Sequence, residues 1–475
     1  MADLLGLDNL RAAPDSDAEP NPYMDNGRQI IRAVSKQTIR TKGCRCLFDD
    51  RLLRNGHDTA RFRDQEHNDT ETWLEVKVQK FRCASCKTVI REDLPDIYKA
   101  DEKKRGHHIT KRFMRRLMRD AVRMPFHTAA EVNRVDYSLI YRVFNDGADE
   151  RLNGYLPTLP PMIGIDENHI LKGRRFIITD IETGALLDIQ PDRRLKYLDP
   201  YLESLPGREN VRIVCQDMWR PYKTVTKRFF PNAVTVIDKF HVVRLANDAV
   251  ELVRKGLYKY TTSAERKWIK NKNRLFDARW NRCKPEIRKQ LEDILPRYPR
   301  LQSAYFWKEA FYEIYDLNEG LGDEARPAAE AALNKWLDDL PDDMKKPFRK
   351  LRTAIGNWRP DIMRYFQYPV TNNGTERTNG LINTLNSTAN GMAYETLRKK
   401  ALMRYGVFGF REAQHRTPMQ RKPRAPVDTR RRLPAPSMAR ARMPTFYPWP
   451  LMDGGVSTVL PILDWGNPGG TINRA

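Results

Sequence analysis

Three carboxylates in separated segments have the types and surroundings to do chemistry together. Asp166 ends the apolar run Met162-Ile-Gly-Ile, Asp217 ends Val211-Arg-Ile-Val-Cys-Gln216, and Glu376 falls in the first turn of a helix opened by Thr371-Asn-Asn-Gly-Thr. If the two runs are neighbouring strands, their aspartates meet at one sheet edge and the glutamate completes a triad. Such a triad suits Mg2+, with Mn2+ as a substitute, because hard cations take carboxylate and water oxygens. Two ions held ~3.5–4 Å apart would activate an attacking hydroxyl and stabilise a leaving oxygen in phosphoryl transfer. Glu376, Asn379, Asn383 and Asn386 step by three and four residues, so they share a helix face, with Leu381, Ile382 and Leu385 supplying an apolar side. A row of amides beside a carboxylate suits hydrogen bonding to a nucleic-acid strand.

Other residues near these runs carry two readings each. Asp238 and His241 form an Asp-x-x-His pair at a helix start, either beside the triad or as a helix cap with a buried imidazole. Trp219 follows Asp217 by two residues and would stack on a frayed base or fill a core. Glu167 should point away from Asp166 by strand alternation, while Asp180 and Asp188 belong to the next hairpin. His169 and the pair His107-His108 read as polar surface.

The elements that must position the triad follow from period and turn signals. After the run at 162–166, Arg175–Ile181 and Ala185–Ile189 form a hairpin around Glu182-Thr-Gly184. A helix over Lys196–Leu205 leads to the strand at 211–216, a helix over Tyr222–Phe229, and a fifth strand over Ala233–Ile237. Strand, hairpin, helix, strand, helix, strand is the order of an RNase H-like α/β domain, in which the first and fourth strands lie side by side. The catalytic domain spans 160–415, with an all-helical insertion over about 245–368. Its stripes, such as Val243, Ala246, Val250 and Val253, are core patterns rather than a cofactor box.

Upstream, residues 1–35 are polar and Pro/Asp/Asn-rich, which predicts poor order. A zinc-binding module over 36–98 is expected from Cys44, Cys46, Cys83 and Cys86, with Trp73–Lys80 as a strand feeding the Cys83–Cys86 knuckle. Cys44 and Cys46 are spaced too tightly for a second knuckle, so His57 or His67 stands as an alternative ligand to one of them. A helix-turn-helix is expected over 99–150. Its first helix carries Phe113, Met114, Leu117, Met118 and Ala121 at helical spacing, and Thr128-Ala-Ala-Glu131 reads as a capping box. A short third helix from about Tyr137 to Phe144 would offer Tyr137, Ser138, Tyr141 and Arg142 to the DNA major groove. Residues 416–475 form an Arg/Pro-rich basic tail, read as disordered.

The whole chain of 475 residues carries 84 Lys+Arg against 61 Asp+Glu, a net charge of +23 that points to a polyanionic partner, most often nucleic acid; with the helix-turn-helix reading, the partner expected is double-stranded DNA. No run approaches the ~18 apolar residues of a membrane span. Met1-Ala-Asp-Leu-Leu-Gly lacks the basic and apolar regions of a secretory signal, and a cytoplasmic, nucleoid-associated protein is expected.

Several of these segments resemble the ISL3 family of bacterial insertion-sequence transposases. The matching stretches are Ile165-Asp-Glu, Lys172-Gly-Arg-Arg-Phe and Val214-Cys-Gln-Asp-Met-Trp219 with Tyr222. Pro231-Asn-Ala-Val-Thr-Val-Ile-Asp-Lys-Phe-His-Val-Val-Arg244 and Asn373-Gly-Thr-Glu376 complete them. The resemblance covers roughly residues 36–415. It implies an Asp-Asp-Glu transposase with the triad Asp166, Asp217 and Glu376, an N-terminal zinc module and helix-turn-helix, and Mg2+-dependent cutting and joining of DNA. A homodimer or larger assembly on DNA is expected, since two element ends must be brought together. The rival readings are a nuclease or resolvase that cuts without joining, and a non-catalytic DNA-binding regulator.

Overall fold

The computed structural model describes residues 7–14, 20–39, 52–99, 108–316, 324–388 and 391–407. The expected basic tail, along with Cys44 and Cys46, lies outside the described residues. The chain begins with a mostly antiparallel sheet. Its strands are β1 (Leu10–Ala12), β2 (Tyr23–Asp25), β3 (Arg28–Ser35), β4 (Leu52–Arg63), β5 (Thr72–Cys83), β6 (Val89–Arg91), β7 (Ile97–Lys99) and β8 (His108–Thr110). Alternation along β5 sends Leu74, Val76 and Val78 into a core shared with Leu7, Leu10 and Ala33. The stretch 1–35, expected to be poorly ordered, therefore contributes three strands. Its composition is polar, yet the Asp96 carboxylate accepts the backbone N–H groups of Asp8, Asn9 and Leu10 at 2.9, 2.7 and 2.8 Å, and Leu10 is fully buried.

Three helices follow: α1 (Lys111–Arg123), α2 (Phe126–Val132) and α3 (Tyr137–Leu152). Thr110 caps α1 by accepting from Phe113 N at 3.2 Å, and its hydroxyl donates to the fully buried Asp64, which Arg112 also binds. Two expectations change here. α2 opens at Phe126 behind Pro125 with no side-chain cap, so Thr128 is inside the helix rather than capping it. α3 runs two turns beyond Phe144 because Val143, Phe144 and Ala148 continue one buried stripe. The turn between α2 and α3 has no glycine; Arg134 takes its left-handed conformation, at φ 49°.

The central sheet contains β9 (Met162–Ile170), β10 (Gly173–Asp180), β11 (Leu186–Gln190), β12 (Ile213–Gln216) and β13 (Val234–Ile237), in the order β11-β10-β9-β12-β13. β9, β10 and β11 are antiparallel, and β12 runs parallel to both β9 and β13. This topology is compatible with an RNase H-like domain. One face packs α4 (Leu195–Ser204) and α5 (Arg220–Phe229) through Leu198, Leu202, Tyr222 and Val225. The other packs α14 (Asn373–Ser387) and α15 (Tyr394–Tyr405) through Ile382, Leu385, Leu397 and Leu402.

Between β13 and α14 lies the helical insertion. It comprises α6 (Lys239–Gly256), α7 (Ser263–Lys270), α8 (Asn273–Asp277), α9 (Pro285–Ile294), α10 (Pro299–Asp316), α11 (Ala325–Asp339), α12 (Asp342–Lys345) and α13 (Arg349–Met363). Its core runs from Ile237 at the end of β13 through Tyr305, Trp336 and Trp358 to Phe366, so the insertion packs against the edge strand of the sheet. α15 also carries Met403 into the core of α1–α3, and Lys400 Nζ donates to Met124 O at 2.7 Å. The three-helix unit is thereby tied to the helix pair that covers the central sheet.

Candidate active site

The register of the central sheet sets three aspartates side by side. Ile165 pairs with Gln216, and Gln216 pairs with Ile237, so Asp166, Asp217 and Asp238 each follow the same rung on β9, β12 and β13. β12 and β13 stop there, but β9 continues to Ile170. Asp166 thus sits within a strand rather than at its end, because Gly173–Asp180 of β10 goes on pairing with it across a tight turn. Beyond the rung, α14 replaces β12 as the neighbour of β9. Asn372 Nδ2 donates to Ile165 O at 3.2 Å, and Asn168 Nδ2 donates to Asn379 O at 3.2 Å.

Gly164 is what lets α14 come so near. A Cβ there would meet Thr375 Oγ1 at 2.3 Å, Asn372 Oδ1 at 2.5 Å and Thr179 Oγ1 at 2.8 Å. The hydroxyls of Thr179 and Thr375 are 2.6 Å apart, and Thr378 Oγ1 donates to Gly184 O at 2.9 Å. These contacts fix the first turn of α14 and with it Glu376. Asn379, one turn further, donates through Nδ2 to Asp166 Oδ2 at 2.7 Å. Asp238 is fully buried and accepts the Asn372 backbone N–H at 3.2 Å.

His241 stands between the two halves of the site. Its Nε2 lies 2.7 Å from Asp217 Oδ1, 3.9 Å from Asp238 Oδ2 and 3.9 Å from Glu376 Oε1. The Asp217 contact is an ion pair by distance but lacks hydrogen-bond alignment: Asp217 Oδ1 and Asp238 Oδ2 are buried without a hydrogen bond. Asp166, Asp217 and His241 offer ligand atoms within 4.8 Å of one another, as do Asp238, His241 and Glu376. Burial, reinforced by neighbouring acids, raises the proton affinity of three of these carboxylates. Burial, then the neighbouring Asp217, pushes Asp166 up to about 7. Asp238 is also raised, mainly by burial, and Glu376 by burial and then Asp238. Burial alone would lower His241, but Asp217, Asp238 and Asp166 outweigh it and raise it. Excess negative charge, unpaired oxygens and a narrow gap are what a divalent cation would satisfy.

The family model for DDE transposases of the ISL3 type, described as a transposase, matches residues 163–401, half of the chain. That span begins at β9 and ends in α15, so it contains every residue of this site. The chain belongs to the ISL3 transposase family. Its members are metal-dependent DNA-transfer enzymes. The chain is also 21% identical over 424 residues to the transposase of insertion sequence element IS1557 from two strains of Mycobacterium tuberculosis, covering 82% of this chain and 90% of each relative. Among the described residues no helix is long and apolar enough to cross a membrane.

Within this ISL3 transposase the remaining sequence candidates fall into three groups. Asn379 joins the site, whereas Asn383 is exposed a turn beyond it, Asn386 is half-buried and Leu381 is exposed rather than apolar core. Trp219 is half-buried, edge-on to Tyr222 at 4.7 Å, with the Arg193 guanidinium 4.3 Å over its ring. Glu167 does face away from Asp166, pairing with Arg174 at 2.9 Å and with Arg193. Asp180 holds its own turn, and Asp188 is buried against Arg398. On α3, Tyr137, Ser138 and Tyr141 are exposed and Arg142 half-buried, lining an open cleft of about 470 Å3. Tyr141 is partly engaged, its hydroxyl 3.4 Å from Thr396 Oγ1 on α15.

Cys83 is buried at the end of β5 and Cys86 is exposed in the following turn. The two alternative histidines do not reach them. His57 pairs with Gln79, four residues or ~13 Å along β5 from Cys83, and His67 is in the turn at the opposite end of the hairpin. The residues that sequence reasoning missed are Asn372, Thr375, Thr179 and Gly164. Each touches no reacting group, and a buried amide or hydroxyl that braces a helix has no signature until its partner strand is known.

Proposed function

We propose that this protein binds the terminal inverted repeats of its insertion sequence and catalyses divalent-metal-dependent strand cleavage and strand transfer. The observation that carries the proposal is a pair of acidic clusters from separate segments, Asp166–Asp217–His241 and Asp238–His241–Glu376, which share His241. Asp166, Asp217 and Glu376 would hold Mg2+, with Asp238 and His241 close enough to adjust them. When bound, the metal supplies Lewis-acid activation of the attacking hydroxyl and charge stabilisation of the leaving oxygen. The chain's own groups do the positioning. Asn379 fixes the orientation of the Asp166 carboxylate, Asn372 anchors the start of α14 to Asp238, and the His241 imidazole, with its raised proton affinity, stands beside Asp217 to hold a proton or a phosphate oxygen. Trp219, held under Arg193, would wall the scissile strand.

End recognition is assigned to α1–α3 as a helix-turn-helix, with Tyr137, Ser138, Tyr141 and Arg142 facing the major groove. Arg142 lies half-buried on the same cleft as the three exposed side chains. A structural Zn2+ on Cys83 and Cys86, completed from Cys44 and Cys46, would brace the N-terminal sheet. Leu52 stands opposite Cys83, so Cys46 precedes that rung by only six residues. Joining two ends requires at least a homodimer.

Incubating the protein with duplex carrying the element's end, a target plasmid and Mg2+ tests the reading. Joined product is expected, and Asp217→Ala or Glu376→Ala should abolish chemistry while sparing DNA binding. Cut but unjoined product would point to a nuclease or resolvase, and bound DNA without cutting to a regulator. Cleavage retained in either variant would sink the assignment. Metal analysis of Cys83→Ser/Cys86→Ser should find the zinc of the wild type lost.

A further inference from the structure

Helix α5 begins three residues after Asp217 and has two unlike sides. Tyr222, Val225, Thr226 and Phe229 are buried against the sheet. The other side presents Arg220, Thr224 and Lys227 to solvent. Across from it lies α13 of the insertion, contributing Asn357 and Trp358, and between the two helices runs an open cleft of about 530 Å3.

The cations of the cleft are of two kinds. Lys223 Nζ is 2.7 Å from Asp361 Oδ2 and 5.0 Å from the Trp358 ring, and Arg228 pairs with Asp199 at 2.5 Å and Glu203 at 2.9 Å. These two are already engaged by acids, Lys223 sharing Asp361 with Arg364, and they shape the walls. Arg220 and Lys227 have no acidic partner among the described residues and are exposed. They are separated by two helical turns, a rise of about 10.5 Å, or roughly three nucleotides of one strand. Thr224 and Asn357 add neutral hydrogen-bonding groups of the kind that phosphate oxygens accept from. Trp358 is only 5% exposed, so its indole is wall rather than a stacking platform. The cleft therefore has the means to hold a phosphate backbone and little with which to read bases.

We infer that the α5–α13 cleft is a further DNA-contacting site, a backbone track for the duplex beyond the scissile phosphate, in which Arg220 and Lys227 each neutralise one phosphate. This rests on the DNA-cutting reading of the neighbouring carboxylates. It also gives the helical insertion a role, since α13 supplies the outer wall that turns a basic helix face into a channel.

Fluorescence anisotropy tests this with the full chain and a fluorescein-labelled duplex carrying the element's end and its flank, across a KCl series. Losing two phosphate contacts in Arg220→Ala/Lys227→Ala should flatten the slope of log K against log[KCl] by about 1.8 and weaken low-salt binding by roughly tenfold. The charge-conserving Arg220→Lys/Lys227→Arg should keep the wild-type slope, which separates charge from a folding defect. If the alanine variant keeps the wild-type slope and affinity, or the charge-conserving variant loses them equally, the cleft is not a backbone track. A wild type that binds no DNA at any salt overturns instead the reading on which this one rests.

Discussion

Replacing Gly164 by alanine should damage the site without touching any group that reacts. The added Cβ would sit 2.3 Å from Thr375 Oγ1 and 2.5 Å from Asn372 Oδ1, where ~3.5 Å is comfortable. Neither neighbour is the loose end of a long side chain. Thr375 is β-branched and buried, and Asn372 is buried and bonded to β9. The first turn of α14 must therefore move by about 1 Å, losing the Thr179–Thr375 hydrogen bond and the set of Glu376. Overpacking of this sort costs about 1–3 kcal/mol and a lost buried hydrogen bond about 1 more, so Gly164→Ala should destabilise by roughly 2–4 kcal/mol. A shift of that size in a catalytic carboxylate can also cost about 100-fold in rate. Gly380 is the control, on the same helix but exposed, with nothing within 4 Å of its would-be Cβ. Gly380→Ala should stabilise by about 0.5–1 kcal/mol through helix propensity alone. Urea denaturation by tryptophan fluorescence, with DNA cleavage in parallel, reads both. If Gly164→Ala matches Gly380→Ala in stability and keeps wild-type cleavage, the close docking of α14 on β9 is wrong.

Two further predictions follow from buried charge. Asp166 keeps its proton up to about 7 in the folded chain, against an ordinary 3.8. Without divalent metal the unfolded chain binds fewer protons between those values, so stability should fall as pH rises from about 4 to 7, by up to roughly 4 kcal/mol. Asp166→Asn should flatten that fall and lose most of the stabilisation that Mg2+ gives the wild type; parallel melting curves for the two proteins would refute the cause. Arg398 holds the fully buried Asp188 at 2.8 and 2.9 Å. Arg398→Ala should cost about 3–5 kcal/mol by stranding that carboxylate, and adding Asp188→Asn should restore much of it. Equal urea midpoints for the single and double variants would contradict this.

Much of the catalytic domain is legible in the sequence because its signals are local. The runs leading to Ile-Asp166, Gln-Asp217 and Ile-Asp238 are short and apolar, and the helical stripe at Glu376 and Asn379 follows from a period of 3.6. Strand order follows from connection rules once the elements are named. The misreading of residues 1–35 has a non-local cause. They look polar, but their order depends on Asp96, about 87 residues away, and on a core they share with β5. Composition carries no trace of such a partner.

The sequence alone determined which residues could act: the charge balance, the Asp, Asp and Glu on three segments, and the Asp-x-x-His pair beside them. Only the tertiary structure decided which of them share a cluster: His241 lies with Asp166 and Asp217 on one side and with Asp238 and Glu376 on the other. Register puts three aspartates just past one rung, and the missing side chain at Gly164 lets α14 bring Glu376 and Asn379 close to them. His241 then sits between the acids, and their combined negative charge raises its proton affinity. Distances of 2–4 Å between residues far apart in the chain are set by packing across strands and helices, and no periodicity within one segment encodes them.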